Sequence, residues 1–210
     1  MEEGATDRRK TILETALRLL TQGGLPAVTT AALAREAKCS KETLYLLFKD
    51  RDDILAALVS RQSSVLNAHL EEADRHTEPM EALAEAGARL LDLLTSEASL
   101  AINRAALGDP TGTLSRILIE AGRNRTAPRM ILLLEEAKRN GDLDFPDAVE
   151  AYRAFYGLLI ADRQIAALHR VAGARPDPDA CRILARRAIE AVRILFPGPR
   201  SGTISRTGIR

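Results

Sequence analysis

The sequence predicts an all-α protein of about nine or ten helices, with a small helix-turn-helix domain at the N-terminus and a larger helical domain after it. Among its 210 residues, 34 alanines and 31 leucines outnumber valine, isoleucine and the aromatic residues, which together number 26. Alanine and leucine favour helices, whereas strands prefer branched and aromatic side chains. Apolar residues also recur at spacings of three and four along most of the chain, which is the helical period. An all-β fold is therefore not expected.

The first three helices are predicted from their apolar faces and their caps. An apolar face runs over residues 7–21, and Gly23-Gly24 followed by Pro26 ends it. Thr29 or Thr30 is the N-cap of a second helix over 31–37, and Ser40 is the N-cap of a third over 41–48. Two short helices joined by so brief a turn must cross steeply, which defines a helix-turn-helix.

The larger domain is predicted from the same periodicity. Its helices begin at residue 52 or 53 and are interrupted by glycine, proline and asparagine. The expected ranges are 52–76, 79–95, 97–107, 112–122, 126–139, 146–171 and 177–196. We therefore expect a helix-turn-helix domain over 1–52, a larger helical domain over 53–197, and a disordered tail over 198–210.

Composition excludes several classes of protein. With 46% hydrophobic and 28% charged residues, the chain is an ordinary globular protein. No apolar run approaches the roughly 18 residues of a membrane span, and no apolar stretch follows the charged N-terminus to form a secretory signal. Cys39 and Cys181 lie too far apart in sequence to indicate a disulfide framework or a zinc knuckle. We expect a cytoplasmic protein with no membrane partner.

Charge is unevenly distributed along the chain. The net charge is +1, but from Arg8 to Arg51 nine basic residues face four acidic ones, which makes that segment +5 and the remainder −4. A basic end of this kind indicates contact with a polyanion. A solvated helical face is the alternative interpretation of the same charges.

The third helix carries side chains suited to reading DNA bases. Ser40, Lys41, Glu42 and Thr43 are expected to point outward from its first turn. Lysine donates to guanine, glutamate accepts from the cytosine amino group, and threonine meets a polar edge or a thymine methyl. Tyr45 is placed to give its hydroxyl to a phosphate.

Phosphate contacts are expected from basic and hydroxyl residues around this helix. These contacts are independent of sequence but depend strongly on salt. The candidates are Arg8, Arg9, Lys10, Thr29, Thr30, Lys49 and Arg51.

These residues resemble the DNA-binding domain of the TetR family of transcriptional regulators. The resemblance covers residues 8–58 and is most specific over Thr43-Leu-Tyr-Leu-Leu-Phe48, followed by a basic residue and by Ile54-Leu55. It implies a homodimeric repressor that binds double-stranded DNA and that a small molecule releases from a palindromic operator. On this resemblance, residues 1–52 form the DNA-binding domain and residues 53–197 the ligand-binding and dimerisation domain. It also implies DNA contacts for Thr30, Lys41, Thr43, Tyr45 and Arg51, whose alternative interpretation is that they only cap helices or face solvent.

Three residues depart from the pattern of the family. Lys38 stands in the turn where the family usually has glycine, so either the turn holds a lysine in the left-handed conformation or its geometry differs. Ala31 and Leu47 stand where some relatives have DNA-contacting arginine or histidine. These departures affect which bases are read.

The last two helices are expected to form a dimer surface. The resemblance points to them, and their apolar residues exceed what one face buried in a single core needs. The candidates are Leu159, Ile160, Leu184, Ala188, Ala191, Val192 and Leu195. The alternative is that these residues only complete the core of the monomer.

Candidates for an effector pocket are mostly apolar, which favours an apolar or aromatic ligand. They are Leu90, Leu94, Ile102, Asn103, Ile117, Leu118, Met130, Leu134, Tyr152, Phe155 and Tyr156. For any one of them, core packing is the competing interpretation. His69, Glu72 and His76 share a helical face, but we expect neither a metal nor a cofactor.

An enzyme is not expected, because the sequence has no nucleophile elbow, phosphate loop or paired metal motif. The second alternative is a helical protein-interaction or ligand-binding protein that does not bind DNA. The sequence favours a ligand-responsive transcriptional repressor over both.

Overall fold

The computed structural model describes residues 2–73 and 78–199, and in these ranges it confirms the all-α class. The helices are α1 Glu2–Ala27, α2 Thr30–Glu36, α3 Lys41–Leu47, α4 Arg51–Ala73, α5 Pro79–Thr95, α6 Glu97–Leu107, α7 Thr113–Ile117, a π-helical segment Leu118–Arg123, α8 Asn124–Arg139, α9 Ala148–Ile160, α10 Arg163–Leu168 and α11 Pro178–Leu195.

The break predicted after the first helix is present inside α1. Gly24 has φ 66° and ψ −168°, which is outside the helical region, and the chain turns there before Pro26. A positive φ of this kind favours glycine, because glycine has no Cβ. The kink ends the long part of α1 and leads the chain to α2.

The predicted helix over 146–171 is two helices in the structure. The chain leaves the helical conformation at Ala161, where φ is 46°, and α10 begins at Arg163. Alanine gives no signal for such a break, since it is the residue that most favours helices. This split gives eleven α-helices in the described ranges where the sequence predicted nine or ten.

One of two compact units comprises residues 2–65 and 96–125 among those described. Its apolar core brings together side chains from α1, α2, α3 and α4 with others from α6 and α7. Ile12, Leu33, Leu44, Ile54 and Leu114 are all buried in it. The three N-terminal helices therefore belong to a larger packed unit than the predicted 1–52 domain.

The other compact unit comprises residues 66–95 and 126–199 of the described chain. Helix α5 packs along α11 and also contacts α9 and α10. Gly87 on α5 allows the close contact with α9, because a Cβ at that position would lie 2.8 Å from Cζ of the buried Phe155. The predicted domain boundary after residue 52 stays a prediction, since compact units follow packing and not function. The predicted tail lies, from residue 200 onward, outside the described residues.

Within residues 2–73 and 78–199, the structure contains no helix both long and apolar enough to span a membrane.

Candidate DNA-binding site

Both helices of the helix-turn-helix begin at the predicted caps. The Thr29 hydroxyl accepts a hydrogen bond from the Ala32 N–H at 3.1 Å, and the Ser40 hydroxyl accepts one from the Thr43 N–H at 3.1 Å. Each cap satisfies a backbone donor that the helix leaves free at its start. The caps therefore fix where α2 and α3 begin.

The turn between α2 and α3 contains a residue in the left-handed backbone conformation. Lys38 has φ 52°, and the Cys39 N–H behind it donates to the Ala34 carbonyl at 3.0 Å. The lysine therefore accepts the conformation that glycine usually supplies, at a cost in conformational energy. The departure at this position changes the residue and leaves the geometry of the turn in place.

Replacing Lys38 with glycine is expected to stabilise the protein by about 0.5–1 kcal/mol. Removing the Cβ relieves the left-handed strain of about 1–2 kcal/mol, and the greater freedom of glycine in the unfolded chain offsets part of the gain. Urea denaturation followed by circular dichroism measures the change. Lys38→Ala keeps the Cβ and removes the charge, so an equal gain in that variant would show that charge, and not backbone strain, is responsible.

Helix α3 is anchored by one side and exposed on the other. Leu44 and Phe48 are buried in the core of their unit, whereas Lys41, Glu42, Tyr45 and Leu46 are exposed. We call these four exposed residues the reading face. Because they are spaced by one, four and five residues, they lie on one side of the helix.

Thr43 lies at the edge of the reading face. It is half-buried, and its hydroxyl is 3.1 Å from the Ser40 hydroxyl. Its predicted contact with a base therefore competes with a hydrogen bond to the cap. Among the predicted reading residues, Lys41 and Glu42 are the more accessible.

Glu42 is held in its charged form. A hydrogen bond from the Ser40 hydroxyl is the main cause that lowers the pKa of its carboxyl, and its own backbone N–H and the nearby Lys41 act in the same direction. A charged carboxylate only accepts hydrogen bonds. In a DNA groove it would favour the amino group of cytosine and repel phosphate.

The predicted phosphate-binding residues occupy different surroundings. Arg8, Lys10, Thr29 and Lys49 are exposed, and Thr30 is half-buried. Arg51 is half-buried, with its Nε 3.6 Å from an Asp52 carboxylate oxygen.

Arg9 contacts the C-terminal end of α3. Its guanidinium donates to the Leu47 carbonyl at 2.6 Å and lies 4.2 Å from the centre of the Phe48 ring. A cation at the C-terminus of a helix is favourable, because the last carbonyls have no partner within the helix. Arg9 thus has a structural role that the sequence did not indicate.

The residues predicted for the dimer surface divide into two groups. Four of the seven are buried in the chain's own core and have almost no surface to give to a second copy: Leu159, Ile160, Ala188 and Val192. Leu195 is exposed, and Leu184 and Ala191 are half-buried. The exposed apolar side chains on α9 and α11 also include Leu158, Ile183 and Ile194, which the sequence analysis did not select.

The residues predicted for an effector pocket fall in both compact units. Leu90, Leu94, Met130, Leu134, Tyr152, Phe155 and Tyr156 belong to the core of one unit. Ile102, Ile117 and Leu118 belong to that of the other, where Asn103 donates to the Ser99 carbonyl of its own helix at 2.8 Å. The predicted set is therefore divided between the two cores, and neither core contains all of it.

Each unit has an open groove lined by other residues. A groove of about 520 Å³ in the first unit includes Arg9, Asp53, Arg61 and Arg125 in its lining. A groove of about 360 Å³ in the second is lined by acidic and basic residues of α5 and α11 with Met80, Ala84 and Ile189. The side chains of His69, Glu72 and His76 lie outside the described part of the chain.

The capped helix pair with one exposed polar side defines a helix-turn-helix protein of the DNA-binding class. Residues 12–58 match the family model of bacterial regulatory proteins of the tetR family, and residues 81–194 match that of the AefR-like transcriptional repressor C-terminal domain. The chain belongs to the TetR family of transcriptional regulators. Members of this family are in general DNA-binding proteins that have no enzymatic activity.

Solved structures agree with this assignment. A TetR transcriptional regulator from Agrobacterium tumefaciens is 38% identical, with a TM-score of 0.71 over 92% of this chain and 96% of that one. FadR from Bacillus subtilis, crystallised with stearoyl-CoA, is 17% identical, with a TM-score of 0.66 over 87% of this chain and 96% of that one, and shares the fold.

A curated relative agrees over a shorter stretch. An HTH-type transcriptional regulator of Haemophilus influenzae is 33% identical over 79 residues, which are 38% of this chain and 42% of that protein. The match thus spans less than half the length of the relative.

Proposed function

We propose that this regulator is a homodimeric repressor that a small, apolar or aromatic molecule releases from a palindromic operator. The observation that carries the proposal is the reading face, in which Lys41, Glu42 and Tyr45 are exposed on a helix whose opposite side is fixed in the core. Lys41 would donate to guanine, Glu42 would accept from cytosine, and Tyr45 would hold a phosphate. The exposed cations Arg8, Lys10 and Lys49 would add salt-dependent affinity.

The dimer surface is proposed on the exposed sides of α9 and α11. Ile183 and Ile194 lie on one side of α11, eleven residues apart, with the exposed Arg187 and Glu190 between them. The neighbouring side of the helix carries the exposed Leu195 and the half-buried Leu184 and Ala191. Leu158 on α9 adds a further exposed apolar side chain. A two-fold pair of such surfaces would bury side chains that one chain alone leaves in water. Two copies would then present two reading faces to two half-sites.

Release by an effector would be a shift between two populations of the dimer. A ligand that binds more tightly to a dimer with wrongly spaced reading faces lowers its affinity for DNA. A coupling of about 1–3 kcal/mol corresponds to a change of about 5- to 150-fold in affinity. Reciprocity requires that operator DNA weaken ligand binding by the same factor.

The class of effector is proposed from the residues in the core of the second compact unit, residues 66–95 and 126–199. Tyr152 and Tyr156 have ring centres 6.0 Å apart and belong to the same apolar core as the buried Met130 and Leu134. A ligand that takes the place of part of this packing would need apolar or aromatic surface. Two proteins of this fold agree in kind: one is described as a flavonoid-responsive regulator, and the other was crystallised with stearoyl-CoA.

Binding to DNA is tested by gel shifts with a pool of random-sequence duplexes and with DNA upstream of the protein's own gene. A repressor selects a duplex with two related half-sites and releases it as salt rises. A helical interaction or ligand-binding protein without a DNA role selects none. That result would overturn the proposal.

Changing Arg51 to alanine is expected to flatten the plot of log affinity against log salt concentration by about one unit, because one phosphate contact is lost. The surface pair with Asp52 at 3.6 Å does not prevent this contact, since exposed ion pairs contribute little. Arg139→Ala is the matched control, because it removes the same charge from an exposed site in the second unit. Equal slopes for both variants would remove Arg51 from the phosphate contacts.

A further inference from the structure

The reading face contains an apolar residue that the polar contacts described above do not use. The Leu46 side chain is 84% exposed, more than Tyr45 beside it. A leucine left in water forgoes the favourable free energy that burial of its side chain would provide. A single exposed leucine is common, but this one lies on the side of α3 that carries Lys41 and Glu42.

The helical register sets what Leu46 can touch. It follows Glu42 by four residues and Lys41 by five, so it lies one turn farther along the same face. Its buried neighbours Leu44 and Phe48 hold the opposite side of the helix in the core, so Leu46 cannot turn inward without unfolding α3. A partner that binds along the side of α3 carrying Glu42 therefore also faces Leu46.

The major groove of DNA presents an apolar group that a leucine can contact. Each base pair there presents donors and acceptors, and thymine alone among the bases adds a methyl group, at C5. Lysine and glutamate read the polar groups, and leucine has neither a donor nor an acceptor. The basic charge of the segment from Arg8 to Arg51 favours DNA as the partner of this face.

We infer that Leu46 is a specificity-determining residue that recognises the C5 methyl group of one thymine in each half-site. This inference rests on the proposed function and extends it from DNA binding to a particular base. It predicts that the operator contains a thymine at the position facing the second turn of α3. It also predicts that affinity depends on the methyl group of that thymine.

Replacing thymine with deoxyuracil tests the inference, because this change removes the methyl and leaves the base-pairing groups intact. The full chain first selects its site from random-sequence duplexes, and each thymine of that site is then replaced in turn. Loss of one buried methyl corresponds to about fourfold in affinity. We expect one thymine per half-site to show this loss with the natural protein, and about 15-fold when both are replaced.

Variants of the protein separate this contact from other effects of uracil. Leu46→Ala is expected to bind thymine and uracil duplexes equally, whereas Leu46→Met keeps an apolar side chain and most of the sensitivity. Leu107→Ala is the matched control, because Leu107 is 78% exposed and lies outside α3. That variant should show the same fourfold loss as the natural protein.

The outcomes distinguish failure of DNA binding from failure of the thymine contact. If the natural protein selects no duplex, the proposed DNA-binding function fails, and the inference fails with it. If it selects a duplex but no uracil substitution weakens binding, or if Leu46→Ala remains as sensitive as the natural protein, the contact with thymine is overturned while DNA binding stands. Thermal melting of each variant checks that the fold is retained.

Discussion

Replacing Ile194 with aspartate is expected to turn the proposed dimer into a monomer and to lower operator affinity by about a thousandfold or more. Ile194 is 80% exposed near the end of α11, on the side that also carries Ile183. In the proposed two-fold interface the substitution replaces two apolar side chains with two carboxylates, and each carboxylate that is buried without a partner costs several kcal/mol. A monomer holds one reading face, so its affinity approaches that of non-specific binding.

Sedimentation and gel shifts measure the two consequences separately. The variant should sediment at the mass of one chain at micromolar concentration and should keep the circular dichroism of the natural protein. Leu132→Asp is the control, because it places the same charge on an exposed apolar position of α8 in the same unit. If Ile194→Asp remains dimeric, the proposed surface on α9 and α11 is wrong.

Sequence alone was sufficient for the fold class and for most helix boundaries. Pro79 has no backbone N–H to donate and the Ser96 hydroxyl caps the helix that follows it, so each marks the start of a helix. The structure has α5 and α6 at the predicted positions. The break at Ala161 could not be predicted in the same way. Its positive φ is imposed by the surrounding structure and not by the residue itself.

The candidate DNA-binding site was predictable because its geometry is local. Ser40 caps α3, and Leu44 and Phe48 repeat at helical spacing, so the exposed side follows from the sequence. The exposure of Leu46 was not predictable in this way, because an apolar residue within an apolar run is expected to be buried in the core. Exposure distinguishes the two cases, and exposure depends on which residues pack around the helix.

The dimer and ligand residues were less predictable because they depend on contacts between distant parts of the chain. Helix α11 carries apolar residues outside its buried side as well as within it, and periodicity does not say which of them the monomer core covers. The core of the second unit takes Val192 and Ala188 and leaves Ile183 and Ile194 exposed. The predicted ligand set includes both Ile117 and Met130, but the two residues belong to different compact units.

Replacing Lys41 with alanine is expected to lower affinity for the selected operator by about 5- to 150-fold for each half-site, the equivalent of about 1–3 kcal/mol for a good contact with a base. Affinity for unrelated DNA should fall far less, because there the lysine contributes only its charge. The ratio of the two affinities should therefore collapse. Gel shifts at fixed salt with both duplexes measure it.

Tyr45→Phe distinguishes contact with a phosphate from contact with a base. Loss of one hydroxyl hydrogen bond costs about 0.5–1.5 kcal/mol and should weaken specific and non-specific binding alike. Lys41→Arg should keep most of the preference, because arginine also donates to guanine O6 and N7. If Lys41→Ala leaves the ratio of affinities unchanged while Tyr45→Phe lowers it, the lysine contacts the phosphate backbone of the DNA and the tyrosine contacts a base. The roles assigned across the reading face would then have to be exchanged.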